Sequence, residues 1–306
     1  MSGPRERTVR VNGQPCRVWE LGRGEPLGFL AGYGGLTQWP PVLSLLAERR
    51  RVIVPSLPGF PGALGHDLLD THLDWLLATF DLLEQAGLAG ADLVGVSVGG
   101  ALAADVAACW PGFVRRLVLL SPLGLFDPAL PTLDVSGVAA RALPETLCVR
   151  PQAYLSQATP PPGADALEWQ IVQTRAMEAA SRLLWPLGDT RLARRLGRIQ
   201  APTLIVWGAA DRVVPPQYAQ RFAQGIGGRT RVIIIPNAGH LAGLDEPELV
   251  ARAVLRFVEA GPAAAQAART TRAKKPAPRS KAGRSTQRKA ARGKVKRAAG
   301  GRAGRR

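Results

Sequence analysis

The sequence predicts an α/β fold built on a mostly parallel sheet of eight strands, and three observations carry that prediction. Short apolar runs alternate with helical patterns along most of the chain. An opening pair of runs, 8–11 and 17–21, is joined by the turn signal Asn12-Gly13 and reads as a hairpin. A glycine-flanked serine, Ser97, stands where a buried run meets a stretch of small residues. After the hairpin, strands at 27–31, 52–54, 92–96, 117–120, 203–207 and 231–235 are separated by helices at 39–47, 70–86, 99–110, 216–224 and 247–259. Parallel neighbours need a crossover connection, so this alternation predicts a sheet covered by helices on both faces.

One segment breaks the rhythm. Between the strand ending near Ser121 and the one starting at Thr203 lie about 80 residues, far more than a single crossover needs. We expect a helical cap at 123–198, with helices at 166–184 and 191–198, inserted into a core made of 1–122 and 199–260. Its aromatic residues, Tyr154, Trp169 and Trp185, either pack the small core of the cap or line a substrate pocket.

Length and composition set further limits. With 306 residues, 46% of them hydrophobic, the chain buries one large core without disulfides. Its three cysteines, Cys16, Cys109 and Cys148, lack metal-ligand spacing and read as reduced apolar residues of a cytoplasmic protein. Polar residues follow Met1 directly, and no run approaches the roughly 18 apolar residues of a membrane helix, so secretion and a membrane span are disfavoured. The net charge of +17 belongs almost entirely to one end, because residues 261–306 hold 16 Lys+Arg and no acid. Such a segment has too little apolar surface to offset its ordering entropy, and disorder is expected there. Residues 269–306 would neutralise phosphates without aromatic stacking, which makes nucleic acid or another polyanion a candidate partner through charge alone.

The chemistry is read from Gly95-Val96-Ser97-Val98-Gly99. A serine hydroxyl is a poor nucleophile, so it has to be lifted out of the backbone on a strained turn and pointed at a base. Glycines two residues to either side remove β-carbons that would clash in such a turn. Of the three histidines, His240 follows the apolar strand 232–235 in Asn237-Ala238-Gly239-His240, at the carboxyl end where an open α/β sheet places its site. His66 and His72 lie near a Gly/Pro-rich loop and a helix start, where an exposed histidine is ordinary. For the orienting acid, Asp211 follows the strand 203–207, and Asp127, soon after Ser121, is the runner-up. Asp245 and Glu246 read instead as acids at the start of the last helix, near its positive end, with Pro247 in the first turn.

In the order Ser97, Asp211, His240, with the opening hairpin and an insertion after the sixth strand, the chain resembles the α/β-hydrolase superfamily from about Val9 to Glu259. The resemblance implies an eight-stranded α/β-hydrolase fold and an oxyanion hole of two backbone N–H groups, which map to Val98 and Tyr33. Two positions depart from the family pattern. Ala31 stands where a histidine often precedes Gly32, and Ser56 stands where an aspartate is usual.

A serine nucleophile disfavours the dehalogenase and epoxide-hydrolase branches and leaves acyl transfer to water. The expected activity is hydrolysis of a small to medium hydrophobic ester or related activated carbonyl through an acyl-enzyme at Ser97. Carbon–carbon bond hydrolysis, perhydrolysis and thioester cleavage use the same three residues. No cofactor and no metal is expected, since no phosphate loop or His/Cys cluster occurs. The reading from another class is a non-catalytic scaffold whose basic end is the functional part.

Overall fold

A computed structural model describes residues 3–184 and 189–260. The expectations for the basic end, 261–306, and for Trp185 lie outside the described residues. Eight strands form one sheet: β1 (Arg5–Val11), β2 (Gln14–Leu21), β3 (Pro26–Leu30), β4 (Arg51–Pro55), β5 (Ala91–Val96), β6 (Val114–Leu120), β7 (Thr203–Gly208) and β8 (Thr230–Ile235). Their spatial order is β1-β2-β4-β3-β5-β6-β7-β8. Only β2 runs against the others, pairing antiparallel with β1 and β4, so the sheet is mostly parallel as its crossovers require. The opening hairpin turns at Asn12 and Gly13 with φ of 50° and 77°, the left-handed pair that a two-residue loop needs.

Burial explains why the strands were readable. Every residue of β5 and of β7 is buried, because helices cover both faces of the central sheet. On one face lie α1 (Pro41–Ala47) and α9 (Pro247–Val258), which enclose Leu43, Val94, Val118, Leu204 and Val254. On the other lie α2 (His72–Gln85), α3 (Ser97–Cys109) and α7 (Tyr218–Gly225), packed around Trp75, Leu102, Leu117, Trp207 and Phe222. The start of α2 is a reciprocal cap: the Thr71 hydroxyl accepts from the Asp74 N–H, and the Asp74 carboxylate accepts from the Thr71 N–H. The Thr71 hydroxyl, at 2.7 Å, and the Thr71 N–H both bond the Asp74 carboxylate and hold it below the usual carboxylate range.

Between β6 and β7 the chain forms α4 (Leu143–Leu147), α5 (Pro151–Ala158) and α6 (Ala166–Leu184). The stretch 191–198, expected as a helix, instead makes two 3-10 turns, Leu192–Arg194 and Leu196–Arg198. Arg191 enters them at a left-handed φ of 61°, and the turns close through bonds three residues apart, from the Arg195 N–H to the Leu192 carbonyl and from the Ile199 N–H to the Leu196 carbonyl. Leu192 and Leu196 stay buried, so the apolar spacing was real while the helix type was not.

The strand order reverses around β3. Its neighbours are β4 on one side and β5 on the other, so the carboxyl ends of β3 and β5 border the crevice where open α/β sheets bind ligands.

Candidate active site

Ser97 opens α3 immediately after β5, with φ of 52°. A non-glycine residue in that region stores strain, and close packing on every side holds it there. A β-carbon on Gly99 would lie 2.3 Å from the Ala31 carbonyl oxygen, and one on Gly95 would lie 2.6 Å from the Gly99 carbonyl oxygen. Neither position tolerates a side chain, which is the physical reason for glycine on both sides of the turn. Gly32 approaches from β3 so closely that its missing β-carbon would stand 3.1 Å from the Ser97 β-carbon.

The turn after β8 brings His240 to the same point. The Ser97 hydroxyl lies 2.8 Å from His240 Nε2, and His240 Nδ1 lies 2.9 Å from Asp211 Oδ2. An Nδ1–H donated to the carboxylate leaves Nε2 free to accept from the hydroxyl. The other oxygen of Asp211 accepts from the N–H groups of Val213 and Val214, each at 2.9 Å, which fixes the carboxylate plane. Ser97, Asp211 and His240 are all buried. The turn and β7 touch at Gly208, where a β-carbon would sit 2.1 Å from the Gly239 carbonyl oxygen.

The remaining sequence candidates lie apart from this chain of bonds. Asp127 accepts from the Ala129 N–H and pairs with Arg221, and these contacts, the first foremost, hold its carboxyl below the usual range. His66 is buried beside Glu178 of α6 at 3.3 Å, so burial replaces the exposure expected from its loop. His72 lies 2.7 Å from Asp105 of α3, whose carboxylate also binds Arg195. Val98 occupies the first turn of α3, where main-chain N–H groups lack intrahelical acceptors. Tyr33 follows Gly32 in a turn closed by the Gly35 N–H on the Gly32 carbonyl at 3.0 Å.

The departure at Ser56 has a visible consequence. Arg17 reaches Ser56 Oγ at only 3.4 Å and bonds the Leu36 carbonyl at 2.7 Å, bracing the loop after β3. Burial pushes the Arg17 guanidinium down to about 10, partly offset by the charge of Glu6.

Asp245 was misread from sequence. It is fully buried at the end of α8 (Ala242–Asp245), and its carboxylate accepts three main-chain N–H groups, from Gly239, Val149 and Arg150, at 2.8 to 2.9 Å. Its spacing from Pro247 suggested a helix-start acid, and nothing local could reveal partners about 95 residues away.

A cleft with about 690 Å³ of empty space, its open mouth included, borders this site. Its lining includes Gly32, Tyr33 and the chain neighbours of Ser97 and His240, Val96 and Leu241, while Phe29, Leu36, Val42 and Leu120 make it apolar. Tyr33 and, from α5, Tyr154 and Gln157 contribute its polar side chains, and no charged side chain lines it among the described residues.

The pattern of the "Alpha/beta hydrolase family" matches residues 29–253, from β3 into α9. The chain belongs to that family. Among curated proteins, this hydrolase-family chain is 32% identical over 269 residues to the dihydrolipoyllysine-residue acetyltransferase component of the acetoin cleaving system of Pseudomonas putida, covering 84% of this chain and 70% of that one. It is 28% identical to the 2-hydroxy-6-oxo-6-phenylhexa-2,4-dienoate hydrolase of Comamonas testosteroni, covering 78% and 89%. Among solved structures it resembles a serine hydrolase involved in carbazole degradation, with a TM-score of 0.64, 26% identity and coverage of 83% and 98%.

Proposed function

We propose that this family member is a serine hydrolase that cleaves a small to medium, uncharged apolar ester through an acyl-enzyme at Ser97. The observation that carries the reading is the unbroken line of hydrogen bonds from Asp211 through His240 to the Ser97 hydroxyl. In the proposed cycle Ser97 attacks the carbonyl carbon while His240 takes its proton, and Asp211 orients the imidazole and stabilises its charge. The main-chain N–H groups of Val98 and Tyr33 receive the oxyanion, one from the first turn of α3 and one from the glycine-rich turn after β3. His240 then protonates the leaving alcohol and activates the water that releases the acid. The segment between β6 and β7 acts as the cap, with α5 closing the cleft above the site.

Carbon–carbon bond hydrolysis is the second reading, favoured by the likeness to the Comamonas testosteroni enzyme, whose name describes a dienoate hydrolase. A dienoate carries a carboxylate, and an unpaired carboxylate in a low-dielectric cleft costs several kcal/mol. The uncharged lining of this cleft supports a neutral ester instead. A fluorophosphonate probe and two p-nitrophenyl esters of matched length, one neutral and one ending in a carboxylate, test both points. We expect labelling at Ser97 that His240→Ala abolishes, together with faster cleavage of the neutral ester. Absence of labelling sinks the hydrolase reading. Equal or faster cleavage of the anionic ester sinks the choice of substrate.

A further inference from the structure

The turn that carries His240 is fastened by a buried carboxylate that the proposed cycle does not use. Asp245 Oδ2 accepts from the Gly239 N–H at 2.8 Å and from the Val149 N–H at 2.9 Å. Its Oδ1 accepts from the Arg150 N–H at 2.8 Å. Gly239 immediately precedes His240, whereas Val149 and Arg150 belong to the segment joining α4 to α5. On the far side of the histidine, the Leu241 N–H donates to the Leu147 carbonyl at 3.0 Å. Both chain neighbours of His240 are thereby tied to residues 147–150. The fit is close, because a β-carbon on Gly239 would stand 2.9 Å from the Leu147 carbonyl oxygen. A second, outer tie joins the Arg150 guanidinium to Glu246.

A carboxylate suits this position for a stateable reason. Three N–H donors converge on it, and only an ionised acid offers acceptors on both oxygens with charge to strengthen each bond. An amide would turn an N–H₂ toward at least one of those donors. The bonds also leave Asp245 no part in capping α9, whose start shows no side-chain cap.

We propose that Asp245 is a positioning residue for His240: one buried carboxylate locks the turn bearing the base to the 147–150 segment, so the seat of that segment on the sheet sets the direction of the imidazole. The proposal rests on reading His240 as the base. It concerns aim rather than proton transfer, since Asp245 touches neither the imidazole nor Ser97 in the bonds described. A displacement of a base by an ångström or less is enough to cost orders of magnitude in rate.

The test uses the full chain, a neutral p-nitrophenyl ester and the variants Asp245→Asn, Val149→Pro and His240→Ala. Val149→Pro deletes one donor without touching the carboxylate, and the extended backbone of Cys148 is compatible with a following proline. Circular dichroism and thermal melting establish the folded fraction. Per folded molecule, Asp245→Asn is expected to lower kcat roughly 10- to 100-fold with little change in KM, and Val149→Pro to lower it less. The pH profile of kcat/KM and the downfield proton resonance of the His240 Nδ1–H should both move in Asp245→Asn. A variant that melts lower but keeps the wild-type kcat, pH profile and imidazole resonance overturns the proposal, as does failure of both variants to fold. If His240→Ala keeps full turnover, the base assignment itself fails. Loss in His240→Ala with no change in Asp245→Asn refutes the role of Asp245 alone.

Discussion

The central strands and the segment between β6 and β7 use similar residues to opposite ends. In β5 and β7 every side chain is buried, and the residues that meet at the site leave the carboxyl ends of β5, β7 and β8. In α6, by contrast, only Ala176, Ala179, Ala180 and Leu183 are buried, while Leu167 is 67% exposed. A leucine in the sheet supports the fold, and a leucine at the outer start of α6 does not. The difference teaches where this molecule keeps rigidity and where it keeps adaptability. The bonded line of Ser97, His240 and Asp211 stands on close-packed strand ends, whereas α5 supplies cleft walls from a thinly buried layer.

The comparison breaks first if the chemistry is not on the sheet. Ser97→Ala should lower turnover of a p-nitrophenyl ester by at least roughly 10³-fold with the melting temperature nearly unchanged, and near-normal initial rates would remove Ser97 from the reaction. Packing provides the next contrast, measured by urea unfolding. Leu204→Ala, in the fully buried β7, should cost about 3 kcal/mol, and Leu167→Ala should fall within about 0.5 kcal/mol of wild type.

Glycines sharpen the same point at smaller amplitude. Gly99→Ala forces a β-carbon against the Ala31 carbonyl and should cost about 2 to 3 kcal/mol along with activity. Gly163→Ala meets nothing within 4 Å, so only its φ of 84° is penalised, by about 1 kcal/mol or less once the stiffer unfolded chain is counted. A larger effect at 163 than at 99 would reverse our view of the two regions.

Two buried thiols, one in each region, give a pH-dependent prediction. Burial pushes Cys16 of β2 up to about 11 and Cys148, next to α4, up to about 12, against an ordinary value near 9. Their folded values are raised, so the unfolded chain releases these protons first. The stability they contribute is complete below pH about 9 and is lost as pH rises through the folded values. The urea midpoint should therefore fall between pH 9 and 11, and less steeply in Cys16→Ala; an unchanged slope would place that loss elsewhere. The smallest effect is expected for Asp127→Asn, because Asp127 pairs with Arg221 and not with His240. Its kcat/KM should stay within about threefold of wild type, and a loss of 10²-fold would return it to the catalytic site.

Legibility followed burial. The inner strands were visible because two-sided cover demands continuous apolar runs, whereas the mostly exposed β1 was visible through the turn signal Asn12-Gly13 that joins it to β2. α4 and α5 escaped notice because helices of 5 and 8 residues span too few turns to display a period. The 191–198 stretch was misjudged because buried leucines at 192 and 196 fit α-helical spacing as well as two 3-10 turns, and only main-chain bonds three residues apart, such as Ile199 N–H to the Leu196 carbonyl, separate them. In the site, Ser97 stood out through the glycines its turn requires. Asp211 and His240 stood out through their place after strands. Asp245 did not, because its contacts are to amides of two segments, 149–150 and Gly239, and amides carry no residue signature.

The sequence by itself determined the layered α/β plan, the strained serine turn and a short set of candidates for the residues that meet there. Each rests on a local rule: an apolar run for a covered strand, a missing β-carbon for a close approach, a loop after a strand for a site. Only the tertiary structure decided that Asp211 rather than Asp127 faces the imidazole, that the cleft beside it has an uncharged lining among the described residues, and that Asp245 binds the histidine turn to residues 147–150. Those outcomes depend on distances between segments remote in the chain, and distances of that kind are set by packing the whole core rather than by any stretch of it.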